Sequence, residues 1–542
     1  MKTLNILTTG AFATLLLLGS CTKDVDNPNS PGGGGEGGVV EGIPTYATVS
    51  LSQRTGAGTY AGAADYVNGN SQASEAEKKI NDAAVLVFNN NDILENFVKF
   101  ENADIDAEPY AKTFATTTGK KRLYALANIG DDNYQKIEAI FNGQTAADKK
   151  LSNVCKVIQQ ITTIADAADN TPDQENFWMS NVYKLGATIE DQVTVLNVDQ
   201  TTVENGNGDD ATKNNFKVYI GRMVSKVTPT FADNLVINSG DGTIEIKDEH
   251  DAVVAEYRVR NNPTRFYTFP VYEGTQLISP YYNRTYDLPN PTDYANDNTK
   301  VGKNDFFDNG HDGGGPGTHT FVKAATDSYL TENSPKEAKR HKVTFLSIKA
   351  KWTPNANAII LSADGSYAAD QAAALTKITS AAGAGGNDGT FYRVQKWENG
   401  LITGYCPGIY ADIPAAWHEV GTAINTETKA GQLTDAAADR DEAKTKSKDV
   451  LNANKAYLVV KYTNGIAYWA YWMRSRLDGT IAEKYALKRN NHYKVNIISV
   501  DGVGEPTEDD NLDKDEDLEA DASMKATIEV LNWNVVDIEG GI

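Results

Sequence analysis

The sequence predicts a mainly β chain built from β-sandwiches, with helices and long loops as insertions. Short runs of alternating or apolar residues recur along it between turn-rich loops, and no repeat of fixed period is visible. Gly and Tyr are plentiful, with 45 and 26 copies in 542 residues, as expected of many turns and half-buried aromatic side chains. At this length we expect two domains plus a leader.

Composition and charge narrow the function classes. Hydrophobic residues make up 40% of the chain and charged residues 23%, which indicates a globular protein. The net charge of −22 argues against nucleic acid as a partner, because phosphate groups are bound by basic patches. It suits a protein kept soluble outside a cell. Three cysteines exclude a disulfide scaffold and leave one bridge open, between Cys155 and Cys406.

Residues 1–20 read as a lipoprotein signal peptide. A positive start and a short apolar run lead to Leu18-Gly19-Ser20-Cys21, which matches a bacterial lipobox. Small residues before the cysteine let a signal peptidase reach the backbone, and the Cys21 thiol receives the lipid. An ordinary signal peptide with a chance cysteine is the alternative. Residues 21–43 then form a lipidated flexible linker, because their glycine run is typical of a tether.

A half-buried strand is predicted at the start of the globular part, in residues 44–54. Its residues alternate between two faces, and the apolar face carries Ala47, Val49 and Leu51. The opposite face carries Thr48, Ser50 and Ser52.

Arg54 follows this strand in the run Gln53-Arg54-Thr55-Gly56-Ala57-Gly58. A glycine-flanked arginine marks an exposed loop tip of the kind that proteases cut. The next arginine is Arg122, so an arginine-specific protease has one early target. On composition alone, an inert loop arginine is the simpler interpretation.

The middle of the chain predicts strands at short spacing. They cover Ile80–Phe88, Arg122–Gly130, Phe216–Val227, Leu235–Ile246, Val253–Val259, Thr264–Val271, Val343–Trp352, Ala456–Tyr462, Ile466–Trp472 and His492–Val500. Helical patches are predicted over Asn133–Phe141 and Lys149–Ala168. A polar loop, Asn205–Asn215, marks a domain junction, which gives an N-terminal domain over 55–221 and a C-terminal domain over 222–504. Loops over 281–318, 362–390 and 426–446 are long enough to carry function or to be disordered.

The end of the chain, residues 505–542, predicts an acidic tether followed by a strand. Glu505–Asp521 is rich in carboxylates and is expected to be solvated and mobile. Met524–Ile542 carries an apolar row with one slip in its alternation, which indicates a bulge. The row consists of Ile528, Val530, Trp533 and Val536. Such a strand can close its own sheet or a neighbour's, and we favour the second fate.

Candidate metal and cofactor sites are weak. His311 and His319 flank a glycine-rich loop with Asp305 and Asp308 nearby, but such loops are more often without a metal. Asp513, Asp515 and Asp517 start like a calcium loop that lacks its glycine and its distal glutamate. The run Gly383–Gly386 follows a helix-like stretch rather than a strand, which argues against a dinucleotide site. We therefore expect no metal and no cofactor.

Candidate catalytic and ligand-binding residues are equally few. Cys155 lies in a helix-like patch, which favours packing over nucleophilic catalysis, and no acid/base set stands out. We expect no enzyme activity. The run Tyr468–Trp472 places aromatic side chains on both faces of a strand, which predicts core. A glycan-stacking surface is the alternative.

Six pieces of the sequence occur in a diagnostic order. They are the lipobox at Cys21, INDAAVLVF from Ile80, RLYALANIG from Arg122, VYIGRMVSKV from Val218, LKRNNHYKVNIISVDGVGEP from Leu487 and the terminal strand with Trp533. Together they resemble the fimbrillins, or type V pilins, of Bacteroidales-type bacteria, and most closely the shaft subunits of short (minor) fimbriae.

This resemblance implies two transthyretin-like β-sandwich domains and an assembly route. The precursor would be an outer-membrane lipoprotein, cut at Arg54–Thr55 by an arginine-specific cysteine protease, a gingipain in this family. The strand with Val49 and Leu51 would leave, and the C-terminal strand of the next subunit, within Ala526–Ile542, would fill the groove. The product would be a cell-surface fimbrium that supports adhesion and colonisation.

The partners implied by the resemblance are other copies of the chain in a head-to-tail polymer, accessory tip and anchor subunits, the protease, and host or bacterial surface ligands. Two rival functions stay open. One is a non-polymerising glycan-binding surface lipoprotein, which polysaccharide retardation in native gels would support. The other is a tip or anchor subunit of the same fimbria.

Overall fold

The computed structural model describes residues 41–53, 69–105, 110–143, 145–155, 157–160, 166–169, 175–181, 194–198, 214–273, 276–283, 306–307, 320–414, 422–423, 436–448, 455–476, 479–512, 514, 518 and 524–534. This part of the chain is mainly β, so the predicted fold class, sandwich sheets with helical and long-loop insertions, is confirmed. None of its helices combines the length and the apolar character that a bilayer crossing requires.

The strands up to residue 237 are β1 (Pro44–Gln53), β2 (Gly69–Gln72), β3 (Ala83–Phe88), β4 (Leu94–Lys99), β5 (Tyr110–Thr117), β6 (Gly119–Ala127), β7 (Ile158–Gln160), β8 (Ala168–Asp169), β9 (Asn176–Phe177), β10 (Met179–Asn181), β11 (Thr194–Val198), β12 (Asn215–Arg222) and β13 (Ser225–Ile237). The helices among them are α1 (Glu75–Lys78), α2 (Asn102–Ile105), α3 (Asp131–Phe141) and α4 (Leu151–Cys155).

The later strands are β14 (Gly242–Glu245), β15 (Glu256–Arg260), β16 (Asn262–Pro263), β17 (Arg265–Tyr267), β18 (Val271–Glu273), β19 (Gln276–Ile278), β20 (Phe306–Phe307), β21 (Val322–Lys323), β22 (Ser328–Leu330), β23 (Phe345–Pro354), β24 (Ile360–Leu361), β25 (Phe391–Glu398), β26 (Leu401–Tyr405), β27 (Ile409–Tyr410), β28 (Thr422–Ala423), β29 (Lys455–Tyr462), β30 (Ile466–Trp472), β31 (Asn491–Val500) and β32 (Met524–Asn534). The later helices are α5 (Gln371–Thr379), α6 (Ala436–Lys446) and α7 (Ile481–Lys484).

Four sheets carry the architecture. The largest has the order β4-β3-β6-β10-β12-β1-β5, with β11 also paired to β6. A second sheet has the order β2-β32-β31-β13-β22. A third has the order β14-β23-β15-β21 with β30 on β23, and a fourth has the order β24-β27-β25-β29-β28 with β26 on β25. The first and the last long strands therefore lie in different sheets.

Two large hydrophobic clusters divide the core. The first is formed by residues from Val49 to Val224, with Phe266, Phe269 and Tyr329 added from later in the chain. The second runs from Val227 to Met524. The change from one cluster to the other falls at residues 225–226, while the predicted domain boundaries stay predictions.

The predicted single strand Phe216–Val227 is wrong at its centre. β12 ends at Arg222 and β13 begins at Ser225. Between them, the Met223 amide donates to the carbonyl of Trp178 at 2.7 Å, and the Val224 carbonyl accepts from the Asn490 amide at 2.8 Å. These backbone groups bond outside the strand ladders, so the chain leaves one sheet and enters the next at this point.

The predicted helix over Lys149–Ala168 is also wrong beyond its first turns. α4 ends at Cys155, and β7 then pairs antiparallel with β17. The residues after Cys155 include β-branched Val157 and Ile158, which fit a paired strand better than a helix. Conversely, two predicted long loops contain helices, α5 and α6. Asp370 caps α5 by accepting from the Ala373 amide at 2.9 Å.

Candidate assembly site

The strand β1 lies inside the largest sheet. It pairs parallel with β12 from Thr48↔Asn215 to Gln53↔Ile220. It pairs antiparallel with β5 from Pro44↔Thr117 to Leu51↔Tyr110. In the described pairings β5 joins the sheet through β1 alone. The backbone of β1 is therefore bonded on both sides, and β5 depends on it.

The side chains of β1 alternate between core and surface, as predicted. Ala47, Val49 and Leu51 are 2%, 0% and 3% exposed. Tyr46, on the opposite face, is exposed. Val49 and Leu51 belong to the first hydrophobic cluster together with Val218 and Ile220 of β12. Removal of β1 would thus uncover an apolar groove with an open strand edge on each side.

Polar contacts fix the register of β1. The hydroxyls of Thr48 and Thr113 lie 2.8 Å apart across the β1–β5 pair. The Asn214 side-chain amide donates to the carbonyl of Tyr46 at 2.9 Å. At the start of the strand, the Ile43 amide donates to the Thr118 hydroxyl at 3.0 Å. These bonds hold the strand without any charged group on its buried face.

The chain passes from one sheet to another between Gln53 and Gly69. Gln53 is the last described residue of the strand, and the predicted cleavage pair Arg54–Thr55 lies outside the described residues, as does Cys21. The description resumes at β2, which pairs parallel with β32 from Gly69↔Leu531 to Gln72↔Asn534. The chain therefore runs from β1, next to the edge of one sheet, to β2, which is paired with the last strand of the described chain.

The burial of the arginines limits where an arginine-specific protease can cut the folded chain. The sequence has thirteen, of which Arg54 and Arg284 lie outside the described residues. The other eleven are all buried or partly buried. Arg122, the next arginine after Arg54, is 6% exposed and forms an ion pair with Asp92. The folded chain thus protects its described arginines from a protease that needs an exposed one.

The helix α1, which follows β2, is anchored by a buried charge that we did not predict. The Glu77 carboxylate accepts from the Lys226 amine at 3.2 Å and from the Tyr329 hydroxyl at 2.9 Å. Burial alone would raise the pKa of Glu77, but Lys226, the Ser74 amide and Arg222 together hold it below its usual value. Ser74 and Glu77 form a capping box, a spacing that is visible in the sequence.

The last strand, β32, closes a sheet of its own chain. It pairs antiparallel with β31 from Asn491↔Asn532 to Val500↔Met524. The predicted bulge lies on β31, between Ile497 and Ser499, rather than on β32. Ile528 is partly buried, while the side chains of Val530 and Trp533 and the whole of Val536 lie outside the described residues. That this strand closes a neighbour's sheet stays a prediction.

The acidic segment before β32 is not the solvated tether that we expected. Glu508 accepts from Arg258 at 2.9 Å and from Arg260 at 2.6 Å, and Asp509 accepts from Arg260 at 2.9 Å. Leu512 and Leu518 are buried in a small hydrophobic cluster. The expectation is therefore wrong for the described part of Glu505–Asp521. The carboxylates are held by cations from distant parts of the chain.

A buried histidine lies beside the last strand. His492 of β31 is directly opposite Leu531 of β32. Its Nε2 lies 2.6 Å from the Thr228 hydroxyl. Burial, and then the positive charge of Lys226, lower the pKa of His492 from 6.5 to about 4. The imidazole is therefore neutral at physiological pH.

The other candidates from the sequence carry no site in the described part of the chain. Trp469, Tyr471 and Trp472 are buried on both faces of β30, so this strand is core, as predicted. Cys406 is buried, and the side chain of Cys155 lies outside the described residues. So do His311, His319 and the triplet Asp513, Asp515 and Asp517. Among the described residues no group of acidic, histidine or cysteine side chains is arranged to hold a metal ion.

Two family models match the chain. The model described as "Major fimbrial subunit protein (FimA)" matches residues 47–220. The model described as "Major fimbrial subunit protein type IV, Fimbrillin, C-terminal" matches residues 460–539. The first match covers the sheet that contains β1, and the second ends beyond β32. No curated protein matches the chain significantly.

Solved structures similar to the chain share little sequence with it. A fimbrilin from Porphyromonas gingivalis W83 is 13% identical with a TM-score of 0.39, over 91% of this chain and 98% of that one. A putative cell adhesion protein from Parabacteroides distasonis is 11% identical with a TM-score of 0.39, over 91% and 100%. The tip fimbrial protein Mfa3 from Porphyromonas gingivalis is 12% identical with a TM-score of 0.31, over 90% and 100%.

Proposed function

Because the chain belongs to the fimbrillin family of fimbrial subunits, we propose that it is a shaft subunit that polymerises by exchanging its first strand for the last strand of another copy. The observation that carries this proposal is the position of β1. This strand is paired on both sides by β5 and β12, carries a fully buried apolar row, and ends one residue before Arg54. A cut there would detach the strand covalently from the sheet that it completes.

The assembly site has the properties that strand exchange requires. The precursor keeps β1 in place, so neither the edges of β5 and β12 nor the apolar groove between them is open to aggregation. An incoming strand would supply backbone hydrogen bonds along both edges and side chains for the groove. The contact joins two different surfaces and does not close on itself, so repeated contacts produce a fibre.

The energetics favour a kinetically durable polymer. Four or five buried apolar side chains at about 1.5–3 kcal/mol each give a gross gain of roughly 6–15 kcal/mol. Ordering the incoming strand opposes this by about 1–2 kcal/mol per residue. The net gain is too small to explain a resistant fibre at equilibrium. Slow unfolding of a closed β-sheet is the better explanation, because non-local strand pairing forms and breaks slowly.

The distribution of arginines supports a selective cut. Every described arginine is buried or partly buried, which leaves Arg54 and Arg284 as candidates for an arginine-specific protease. We further propose export as a lipoprotein through Cys21, display at the cell surface, and assembly with accessory tip and anchor subunits. These steps are supported by the lipobox and by the family.

The test is protease-triggered assembly of the purified precursor. After incubation with an arginine-specific protease, we expect a ladder of oligomers that resists mild heating in detergent. Arg54→Gln should stay monomeric under the same treatment, and Arg284→Gln, the matched control, should assemble like the parent. Assembly of Arg54→Gln would contradict the proposal.

A tip subunit is the second candidate, favoured by the pairing of β32 with β31 of the same chain. A tip subunit would accept a strand without donating one. In the same assay it would lose β1 and stay monomeric. The aromatic run does not support the glycan-binding alternative, since Trp469, Tyr471 and Trp472 are buried. The tether that also motivated this alternative lies almost entirely outside the described residues.

A further inference from the structure

The first strand and the last strand share a five-residue pattern. β1 contains Ala47-Thr48-Val49-Ser50-Leu51, and β32 contains Ala526-Thr527-Ile528-Glu529-Val530. In both segments alternate positions hold an alanine, a β-branched aliphatic residue (Val49 or Ile528) and a further aliphatic residue (Leu51 or Val530). The residue after the alanine is threonine in both. Alternate positions on a strand share one face, so each segment presents an alanine followed by two larger aliphatic side chains on one face.

We propose that β32 of one copy enters the groove of the next in the direction and register of β1. Ala526, Ile528 and Val530 then take the places of Ala47, Val49 and Leu51. This inference rests on the proposed strand exchange and specifies its geometry. The exchange conserves the buried volume, because Val plus Leu and Ile plus Val contain the same number of carbon atoms. Volume-conserving apolar exchanges are the best tolerated in packed cores.

The exposed face of β1 also fits this register. Thr527 would retain the hydroxyl that Thr48 places 2.8 Å from the Thr113 hydroxyl. Glu529 would lie in the place of Ser50, whose partner on β12 is the exposed Lys217. Leu531 would lie in the place of Ser52, whose partner Tyr219 is 42% exposed in the precursor. Opposite charges and paired apolar groups on neighbouring strands stabilise a sheet.

Burial at two positions of β32 favours the exchange. Ala526 and Ile528 are only partly buried against the second hydrophobic cluster of their own chain. The positions of Ala47 and Val49, which they would occupy, are 2% and 0% exposed. Ala526 and Ile528 therefore bury additional apolar surface when β32 moves to the groove of a neighbour. Leu531, which is 4% exposed in its own sheet, would in exchange lie beside the exposed Tyr219.

A β32 strand that ran opposite to the direction of β1 would fit the groove poorly. With Ile528 still central, Val530 would fall in the place of Ala47 and Ala526 in the place of Leu51. A larger side chain in a filled position forces neighbours to shift, and a smaller one in the Leu51 position leaves a cavity. A slip by two residues produces mismatches of the same kind.

Disulfide trapping between copies tests the register. Thr48 lies opposite Thr113 on β5, Ser50 opposite Ala111 and Tyr46 opposite Ala115. Full-length T113C/T527C, A111C/T527C and A115C/T527C are cut with the arginine-specific protease, assembled, oxidised and boiled in detergent without reductant. We expect a covalent ladder from T113C/T527C at least tenfold stronger than from the other two pairs or from either single cysteine.

Polymer formation is recorded by electron microscopy before oxidation, so failure to assemble and failure of the register are separate results. A ladder from A111C/T527C would indicate the reversed or slipped strand and overturn the inference, as would polymers that no pair traps. A526L provides a second, steric measurement. In the proposed register it overfills the Ala47 position and slows assembly at least tenfold, while unimpaired assembly of a folded A526L would contradict the register.

Discussion

The two strands at the ends of the described chain differ in how deeply they are built into their sheets. β1 runs between β5 and β12, and its apolar row is fully buried in the first hydrophobic cluster. β32 runs between β31 and β2, yet Ala526 and Ile528 are only partly buried. Similar backbone pairing therefore accompanies unequal burial. Because Met524 and Leu531 of β32 are 5% and 4% exposed, the difference lies in Ala526 and Ile528, the two described apolar residues of β32 that are left partly exposed.

The largest expected effect comes from introducing an aspartate into the apolar row of β1 or of β32. Val49→Asp puts a carboxylate in a fully buried position, which should destabilise the precursor by about 3 kcal/mol or more. Ile528→Asp should leave the precursor folded and abolish assembly after cleavage. Circular dichroism and the oligomer ladder measure the two outcomes.

Ser50→Asp is the control for this comparison, because it lies on β1 with its side chain on the outer face near Lys217. It should fold and assemble. A folded, normally stable Val49→Asp precursor would contradict the central role of β1.

Shortening an apolar side chain of β1 or of β32 should affect the stability of the precursor and of the polymer differently. Leu51→Ala should lower the free energy of unfolding of the precursor by about 2–5 kcal/mol, because a fully buried leucine leaves a cavity. The polymer should be as stable as the parent, since residue 51 would be absent from it. Ile528→Ala should cost the precursor about 1–2 kcal/mol and slow assembly. Denaturant unfolding before and after assembly measures both, and a polymer weakened by Leu51→Ala would mean that β1 is retained.

Acid should loosen the sheet of β32 more than the sheet of β1. His492, beside β32, has a pKa of about 4 in the folded chain and 6.5 when unperturbed. As the pH falls below 6.5 the unfolded chain binds a proton first, so stability present above pH 6.5 is lost down to pH 4, up to about 3 kcal/mol. The groups around it are Lys226, Asp327, Lys494 and Glu77, and the described strands of the β1 sheet contain no histidine.

Denaturant unfolding of the precursor at pH 7 and pH 5, together with hydrogen exchange of β31 and β32, measures this loss. His492→Gln should remove most of the pH dependence in this window. An unchanged pH dependence in His492→Gln would show that other groups are responsible.

The smallest effect is expected from the surface hydroxyl pair. Thr48→Val removes the contact with Thr113 and keeps the shape of the side chain, which should cost the precursor about 0.5–1 kcal/mol. Thr527→Val should weaken the polymer by a similar amount, because residue 527 takes the place of Thr48 there. A polymer as stable as the parent would contradict this placement.

The local sequence pattern predicted β1 and β30. It could not predict which residues far apart in the sequence contact each other. The alternation of Ala47, Val49 and Leu51 marked a half-buried strand, and the aromatic run of β30 marked core. The docking of Glu508 was missed, because its partners Arg258 and Arg260 lie about 250 residues earlier and only the fold brings them together. The break at Met223 was missed for the same reason, since Trp178 and Asn490 bind its backbone and that of Val224.

The pairing of β32 could not be decided from sequence, because its apolar row fits a sheet of its own chain and a neighbour's equally well. The structure describes the single chain, in which the strand closes its own sheet. The shared Ala-Thr pattern becomes informative only once the burial of the β1 row and its partners on β5 and β12 are known.

The most direct test of the exchange is mass spectrometry of subunits taken from assembled polymer. The account predicts an N-terminus at Thr55, no peptide from Pro44–Gln53, and an intact C-terminal peptide that includes Ala526–Asn534. Polymer subunits that begin at Cys21, or that retain Pro44–Gln53, would contradict it.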